Sequence, residues 1–305
     1  MQGSCNATLH PEVKEMEKRL VTSRPVAVLG GGTMGIGIAQ VAAEQGYTVR
    51  LYDITDDVLD KALAGLRGRL EKLEQKGKRP AGDTELVLGR IVPTSTLDAL
   101  HDVALVIEAV PEKLELKRAI FSQLEAICPP DAVLASNTSS IPITAIAGGL
   151  KSPERVVGLH FFNPAPLMKL VEVISGMHTG AEAVAFADAF AITLGKTTAK
   201  CIDTPGFIVN RVARGFYGEG LRLVQEGVAT KEQIDKIARL GGNFRMGPFE
   251  LMDLIGIDVN LSVSQSVYHA TYEEQRYRPN PIQERMVHAG DFGRKTGRGF
   301  YRYDQ

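Results

Sequence analysis

The stretch "VAVLGGGTMGIGIAQ", residues 26–40, constrains the fold of this chain more than any other. Four apolar residues suited to a buried strand run straight into Gly30-x-Gly32-x-x-Gly35, and an apolar helical pattern follows without a break. Glycines at these three positions allow a tight turn, close backbone approach to a pyrophosphate, and close packing of helix on strand. Thr33 and Met34 sit between the second and third glycines, in a first helical turn whose unpaired N–H groups favour a phosphate. A second strand, "TVRLYD", ends in Asp53, 18 residues past Gly35, where an acidic side chain meets ribose hydroxyls. That carboxylate would repel a 2′-phosphate, so the pattern predicts NAD rather than NADP as cofactor.

Beyond this unit, strands and helices keep alternating. A charged helical stretch covers 56–78, then come "ALVIEAV" at 104–110, a helix over about 112–127, and "AVLAS" at 132–136. A short helix follows Pro142, and "RVVGLHFF" and "LVEVI" close the series. This order predicts an α/β fold of the Rossmann type, doubly wound around a mainly parallel sheet with right-handed crossovers. After "CIDTPGFIVNR" the character changes: residues 206–290 read as helices over 207–227, 230–240, 247–255 and about 257–275. The expected division is a polar extension over 1–24 with a short helix at 11–20, an NAD-binding domain over 25–204, and an all-helical C-terminal domain over 205–305. The tail "GRKTGRGFYRYD" reads as a basic, aromatic loop that packs back on its domain.

Bulk charge narrows the partners. With 35 basic and 36 acidic residues, nothing global favours nucleic acid or an anionic membrane. No apolar run approaches the roughly 20 residues needed to span a bilayer. Cys5, Cys128 and Cys201 are far apart and lack metal-ligand spacing, so no metal site is expected, and so sparse a set suits a reducing compartment, the cytoplasm. The N-terminus has no apolar core of a secretory signal and is too acidic for a good transit peptide.

Two polar residues intrude on otherwise apolar strands in "VVGLHFFNPAPLMKLVEVI", residues 156–174. A buried carboxylate is costly unless something pairs with it. His160 and Glu172 are equidistant from Pro166 in the intervening turn and share parity, so an antiparallel pairing puts them opposite or diagonal on one face. A carboxylate on one imidazole nitrogen fixes the tautomer and stabilises the imidazolium, as a general base requires. The alternative is a satisfied core histidine in a structural ion pair. "ASNTSS" carries Asn137, Thr138, Ser139 and Ser140 to the carboxyl edge of the sheet, where ligands bind, though turn and capping roles also suit them. Asn163, just past His160, has the same double reading.

Taken together, "GGGTMGIGIAQ", "VIEAVPE", "ASNTSS", "GLHFFNPAPLMKLVEVI", "DTPGFIVNR" and "GRKTGRGFY" resemble the short-chain 3-hydroxyacyl-CoA dehydrogenase family, and its 3-hydroxybutyryl-CoA branch most closely. The resemblance spans about 25–303. It implies reversible oxidation of an L-3-hydroxyacyl-CoA by NAD, with His160 as catalytic base oriented by Glu172. Ser139 would bond the reacting oxygen and Asn210 would help to position it. The resemblance also implies that Asn163, Glu112, Lys117 and Lys295 line the NAD site, and that a homodimer forms through the helical domain. Glu112 and Lys117 read equally well as an exposed helical pair. For the CoA phosphates, Arg69, Lys72 and Lys76 form a basic stripe, with Lys76 the candidate, although Glu71 and Glu74 make a solvated face the plainer reading. Three other readings remain at this level: a dicarboxylic substrate such as 3-hydroxyadipyl-CoA, a sugar-acid dehydrogenase, and a structural or NAD-sensing protein like the related lens crystallins.

Overall fold

The structure, a computed structural model, describes residues 24–303, so the expected helix at 11–20 lies outside the described residues. Its contacts divide into two compact units between Asp203 and Thr204. The first unit contains β1 (Val26–Leu29), α1 (Thr33–Glu44), β2 (Val49–Tyr52), α2 (Asp56–Gln75), α3 (Asp83–Leu88), β3 (Ile91–Thr94) and β4 (Leu105–Glu108). It continues with α4 (Leu114–Ile127), β5 (Val133–Ser136), α5 (Ile143–Ala147), β6 (Val156–Phe161), β7 (Leu170–Ser175), α6 (Ala181–Thr193) and β8 (Thr197–Ile202).

These strands form one eight-stranded sheet in the order β3-β2-β1-β4-β5-β6-β7-β8. Every neighbouring pair is parallel except β6–β7, which is antiparallel. The chain therefore adopts the doubly wound α/β architecture. Strands β1, β4, β5 and β6 are buried along their whole length, because helices cover both faces of the sheet. The winding reverses between β1 and β4, which opens a crevice at their carboxyl ends. The carboxyl ends of β2, β1, β4, β5 and β6 all share that edge.

Elements that the sequence left unassigned have physical reasons for their silence. Strand β3 carries Pro93, which cannot donate to a ladder, and it is the outermost strand on its side. Strand β8, "TTAKCI", is the other edge and is half exposed throughout. Neither needs an unbroken apolar run. Helix α6, "AEAVAFADAFAIT", is apolar on nearly every side, so it shows no amphipathic period.

The second unit is helical: α7 (Val209–Gln225), α8 (Lys231–Leu240), α9 (Pro248–Ile255), α10 (Ile257–Ala270) and α11 (Pro281–His288). Its core gathers Tyr217, Leu221, Phe249, Met252, Ile257 and Phe300. The helix expected over 257–275 stops at Ala270, because Tyr272 and Glu273 adopt positive φ angles of 54° and 63° and turn the chain away. The tail does pack back. Asp253, 1% exposed, accepts hydrogen bonds from the Phe300 and Tyr301 N–H groups and the Tyr303 hydroxyl, each at 2.9 Å.

Candidate active site

The glycine turn sits where β1 meets α1. Gly30 has φ 103°, and a Cβ there would lie 2.7 Å from the Ala109 carbonyl oxygen. At Gly35 a Cβ would lie 1.8 Å from the Gly30 carbonyl oxygen, so only glycine lets α1 start this close to β1. At Gly32, by contrast, a Cβ would meet nothing within 4 Å. The turn is tight toward the protein and open outward, where Thr33 and Met34 begin the helix. Asp53 follows β2 and is tied to the turn: Oδ2 accepts from the Gly31 N–H at 2.6 Å and Oδ1 from the Ile54 N–H at 2.7 Å. Each oxygen keeps a second lone pair for a hydroxyl donor. An open donor-rich helix start beside an anchored carboxylate fits an adenine dinucleotide.

At the end of β4 lies a buried network that the sequence reasoning missed in part. Glu108 is fully buried, and Lys117, from α4, is 1% exposed. Lys117 Nζ donates to Glu108 Oε1 at 2.6 Å, the Val110 N–H reaches the same oxygen at 2.8 Å, and the Ser136 hydroxyl donates to Oε2 at 2.7 Å. Lys117 also lies 3.2 Å from Glu112 Oε2. The exposed-pair reading of Glu112 and Lys117 is thereby overturned, since Lys117 turns inward to neutralise a buried acid. Glu108 could have been found by the logic that singled out Glu172, for it is the one charged residue within "ALVIEAV".

Glu112 gathers the "ASNTSS" turn. Its Oε1 accepts from the Thr138 hydroxyl at 2.6 Å, from the Ser139 and Ser140 N–H groups at 3.0 and 3.2 Å, and from the Ser140 hydroxyl at 3.2 Å. Burial pushes this carboxyl up, but the Lys117 ammonium and the Thr138 and Ser139 donors outweigh burial and hold it below its ordinary range. Ser139 Oγ lies 3.4 Å from the same oxygen. Asn137 Oδ1 accepts from the Phe161 N–H at 2.8 Å, which fastens β5 to β6 beside His160.

His160 and Glu172 stand directly opposite each other across β6 and β7. Imidazole Nδ1 lies 2.7 Å from Glu172 Oε2, with His160 6% exposed and Glu172 fully buried. The ring of Phe162 is 4.5 Å from that of His160, centroid to centroid, and narrows the setting. Asn163, two residues past β6, is exposed.

The remaining candidates lie apart from this edge or in the other unit. Lys76 is exposed at the C-terminal end of α2. Asn210 is the second residue of α7. Lys295 pairs with Asp258 at 2.6 Å and sits 5.1 Å over the Phe292 ring, all within the helical unit. Among the described residues no group of three or more His, Cys, Asp or Glu side chains could hold a metal ion, and no helix is long and apolar enough to cross a membrane.

Two family models match in sequence order: 3-hydroxyacyl-CoA dehydrogenase, NAD binding domain, over residues 25–204, and 3-hydroxyacyl-CoA dehydrogenase, C-terminal domain, over residues 206–303. A 3-hydroxyadipyl-CoA dehydrogenase of Escherichia coli is 50% identical over 282 residues, 92% of this chain but only 59% of that protein. A probable 3-hydroxybutyryl-CoA dehydrogenase of Bacillus subtilis is 43% identical and covers 92% of this chain and 98% of its own length. The crystal structure of a 3-hydroxybutyryl-CoA dehydrogenase from Escherichia coli is similar with a TM-score of 0.89 at 50% identity, covering 92% of this chain and 59% of that one. That of an (S)-3-hydroxybutyryl-CoA dehydrogenase from Ralstonia eutropha has a TM-score of 0.87 at 39% identity, covering 92% and 99%. With both of its units matched, the chain belongs to the 3-hydroxyacyl-CoA dehydrogenase family, a family of NAD-dependent oxidoreductases.

Proposed function

We propose that the chain oxidises short L-3-hydroxyacyl-CoA thioesters, such as 3-hydroxybutyryl-CoA, reversibly to 3-oxoacyl-CoA, with His160 as general base. The observation that carries this reading is the buried His160–Glu172 pair, 2.7 Å apart at the cofactor edge of the sheet. Bound NAD supplies the hydride acceptor for the substrate's C3. Nε2 of His160 takes the hydroxyl proton, and Glu172 at Nδ1 stabilises the imidazolium that results. In reverse, Nε2 returns that proton to the 3-oxo oxygen. Ser139 and Asn210 bond and orient the reacting oxygen. The turn Gly30–Gly35 and Asp53 hold the dinucleotide, with Asn137, Asn163, Glu112, Lys117 and Lys295 completing its surroundings. Lys76 offers a cation to the CoA phosphates. A homodimer formed through the helical unit, working in a reducing cytoplasm, completes the reading.

A second substrate reading has one observation behind it: the relative at 50% identity is named for 3-hydroxyadipyl-CoA. Purified protein with NADH should reduce acetoacetyl-CoA but not free acetoacetate, monitored at the nicotinamide absorbance. No turnover with the thioester would sink the main proposal, and equal rates with NADPH would sink the role of Asp53. The ratio of kcat/KM for 3-oxoadipyl-CoA and acetoacetyl-CoA decides the acyl group.

A further inference from the structure

Thr138 sits between Asn137 and Ser139 in "ASNTSS" and is 1% exposed, while Ser139 beside it is half-buried. Its backbone N–H donates to the Ser136 hydroxyl at 3.2 Å, and that hydroxyl donates in turn to buried Glu108. Its own hydroxyl oxygen accepts from the Ile141 N–H at 2.8 Å and the Ser140 N–H at 3.3 Å. Those accepted bonds are what any threonine at a turn makes, and they cap it. The hydroxyl proton goes elsewhere, to Glu112 Oε1 at 2.6 Å. A turn does not need that bond.

Five donors converge on this one oxygen. Closest is the Thr138 hydroxyl at 2.6 Å, followed by the Ser139 N–H at 3.0 Å and the Ser140 N–H and hydroxyl at 3.2 Å. The Ser139 hydroxyl is the farthest, at 3.4 Å. A carboxylate oxygen has two lone pairs, so it cannot serve all of these equally. The Thr138 contact is that of a charge-assisted bond, whereas 3.4 Å lies beyond the ordinary range for two oxygens. The distinction matters because of what Ser139 must do. The reacting oxygen gains negative charge as the 3-oxo group accepts hydride, so a serine that stabilises it must donate to it. If Glu112 captured the Ser139 proton, only lone pairs would face that oxygen.

We propose that Thr138 is a positioning residue for the reaction: its hydroxyl occupies Glu112 Oε1 and so keeps the Ser139 proton for the reacting oxygen. The inference rests on the reading in which Ser139 bonds that oxygen. Thr138 itself touches neither substrate nor cofactor and acts through Glu112. Without its hydroxyl, the vacated lone pair draws in the next hydroxyls in reach, those of Ser140 and Ser139, and the turn closes on Glu112.

The test is a double-mutant cycle in acetoacetyl-CoA reduction by NADH, with single-turnover measurement for slow variants. Thr138→Val keeps the shape but loses the hydroxyl, and should lower kcat by about 10–100-fold, the cost of misplacing a group at the reacting atoms. The KM for NADH should stay nearly unchanged. Thr138→Ser keeps the hydroxyl and should retain most of the rate. In a Ser139→Ala background, Thr138→Val should cost almost nothing more, because the proton it protects is already gone. If the valine variant does not fold, Thr138→Cys, with only a weak donor, takes its place, and its loss should also vanish beside Ser139→Ala. The proposal is overturned if the losses multiply in the double variant, if Thr138→Ser falls as far as Thr138→Val, or if Thr138→Val or Ser139→Ala keeps the wild-type rate. Thr138 is then a turn cap. A wild type that does not reduce the thioester would sink the dehydrogenase reading and this inference with it; multiplying losses in an active enzyme overturn this inference alone.

Discussion

Glu108 and Glu172 are both fully buried, both in strands of aliphatic residues, and they differ in what answers them. Glu108 faces an ammonium at 2.6 Å, a hydroxyl at 2.7 Å and a backbone N–H at 2.8 Å. Removing Lys117 would leave that carboxylate without its cation in the interior, so the pair serves as scaffold. Glu172 faces an imidazole, the side chain whose charge changes most readily near neutral pH. Equal burial thus meets an ammonium in one strand and an imidazole, the base of the proposed reaction, in the other.

Substitutions can break or sharpen that contrast. The largest effect is expected at the pair proposed to handle the proton: His160→Gln should lower kcat by about 10²–10⁴-fold while NAD affinity, followed by fluorescence titration, is unchanged. Adding Glu172→Gln to that variant should cost little more, since the two act as one unit. A near-normal rate in His160→Gln would assign the base elsewhere. At the scaffold pair the damage should fall on stability instead. Lys117→Met leaves Glu108 without its cation and should cost about 3–5 kcal/mol in urea denaturation; a loss near zero would mean the pair is not structural.

A smaller change, about tenfold in the NADH-to-NADPH preference, roughly 1.4 kcal/mol, is expected from Asp53→Asn in the same reductase assay. The smallest concerns Glu112, whose carboxyl lies below its ordinary range in the folded chain. Its contribution to stability is full above the unfolded carboxylate pKa and is lost as pH falls through the lowered folded value. Glu112→Gln should therefore lower stability modestly at neutral pH and converge on the wild type as pH falls through that range, which flattens the acid limb of the stability curve. An unaltered acid limb would remove Glu112 from the account.

Much of the sheet unit was legible because its signals are local. Gly30, Gly32 and Gly35 lie within six residues of one another, and the symmetry about Pro166 is a matter of counting. The edge strands β3 and β8 were silent because solvent on one side relaxes the need for apolar runs. Lys117 was misread as an open alternative because the lysine faces inward, toward a carboxylate nine residues upstream that a view of its own helix does not contain. Arg214, 5% exposed on α7, was not legible at all: "NRVARGFYGEG" reads as an amphipathic helix, and only tertiary packing reveals that this arginine is buried against the Asn260 carbonyl and the Ser264 hydroxyl, with no acid bonded to it among the described residues.

The direct opposition of His160 and Glu172 also bears on how such a chain can evolve. In a strand, each residue removed from within sends every following side chain to the opposite face. Substitutions along β6 and β7 can therefore accumulate one at a time wherever volume is kept, while a single-codon deletion inside either strand separates the pair at once. Length changes that spare the strands are confined to the turn around Pro166, outside both of them. Lineages that keep the pair should vary in the letters of these two strands and hold their count.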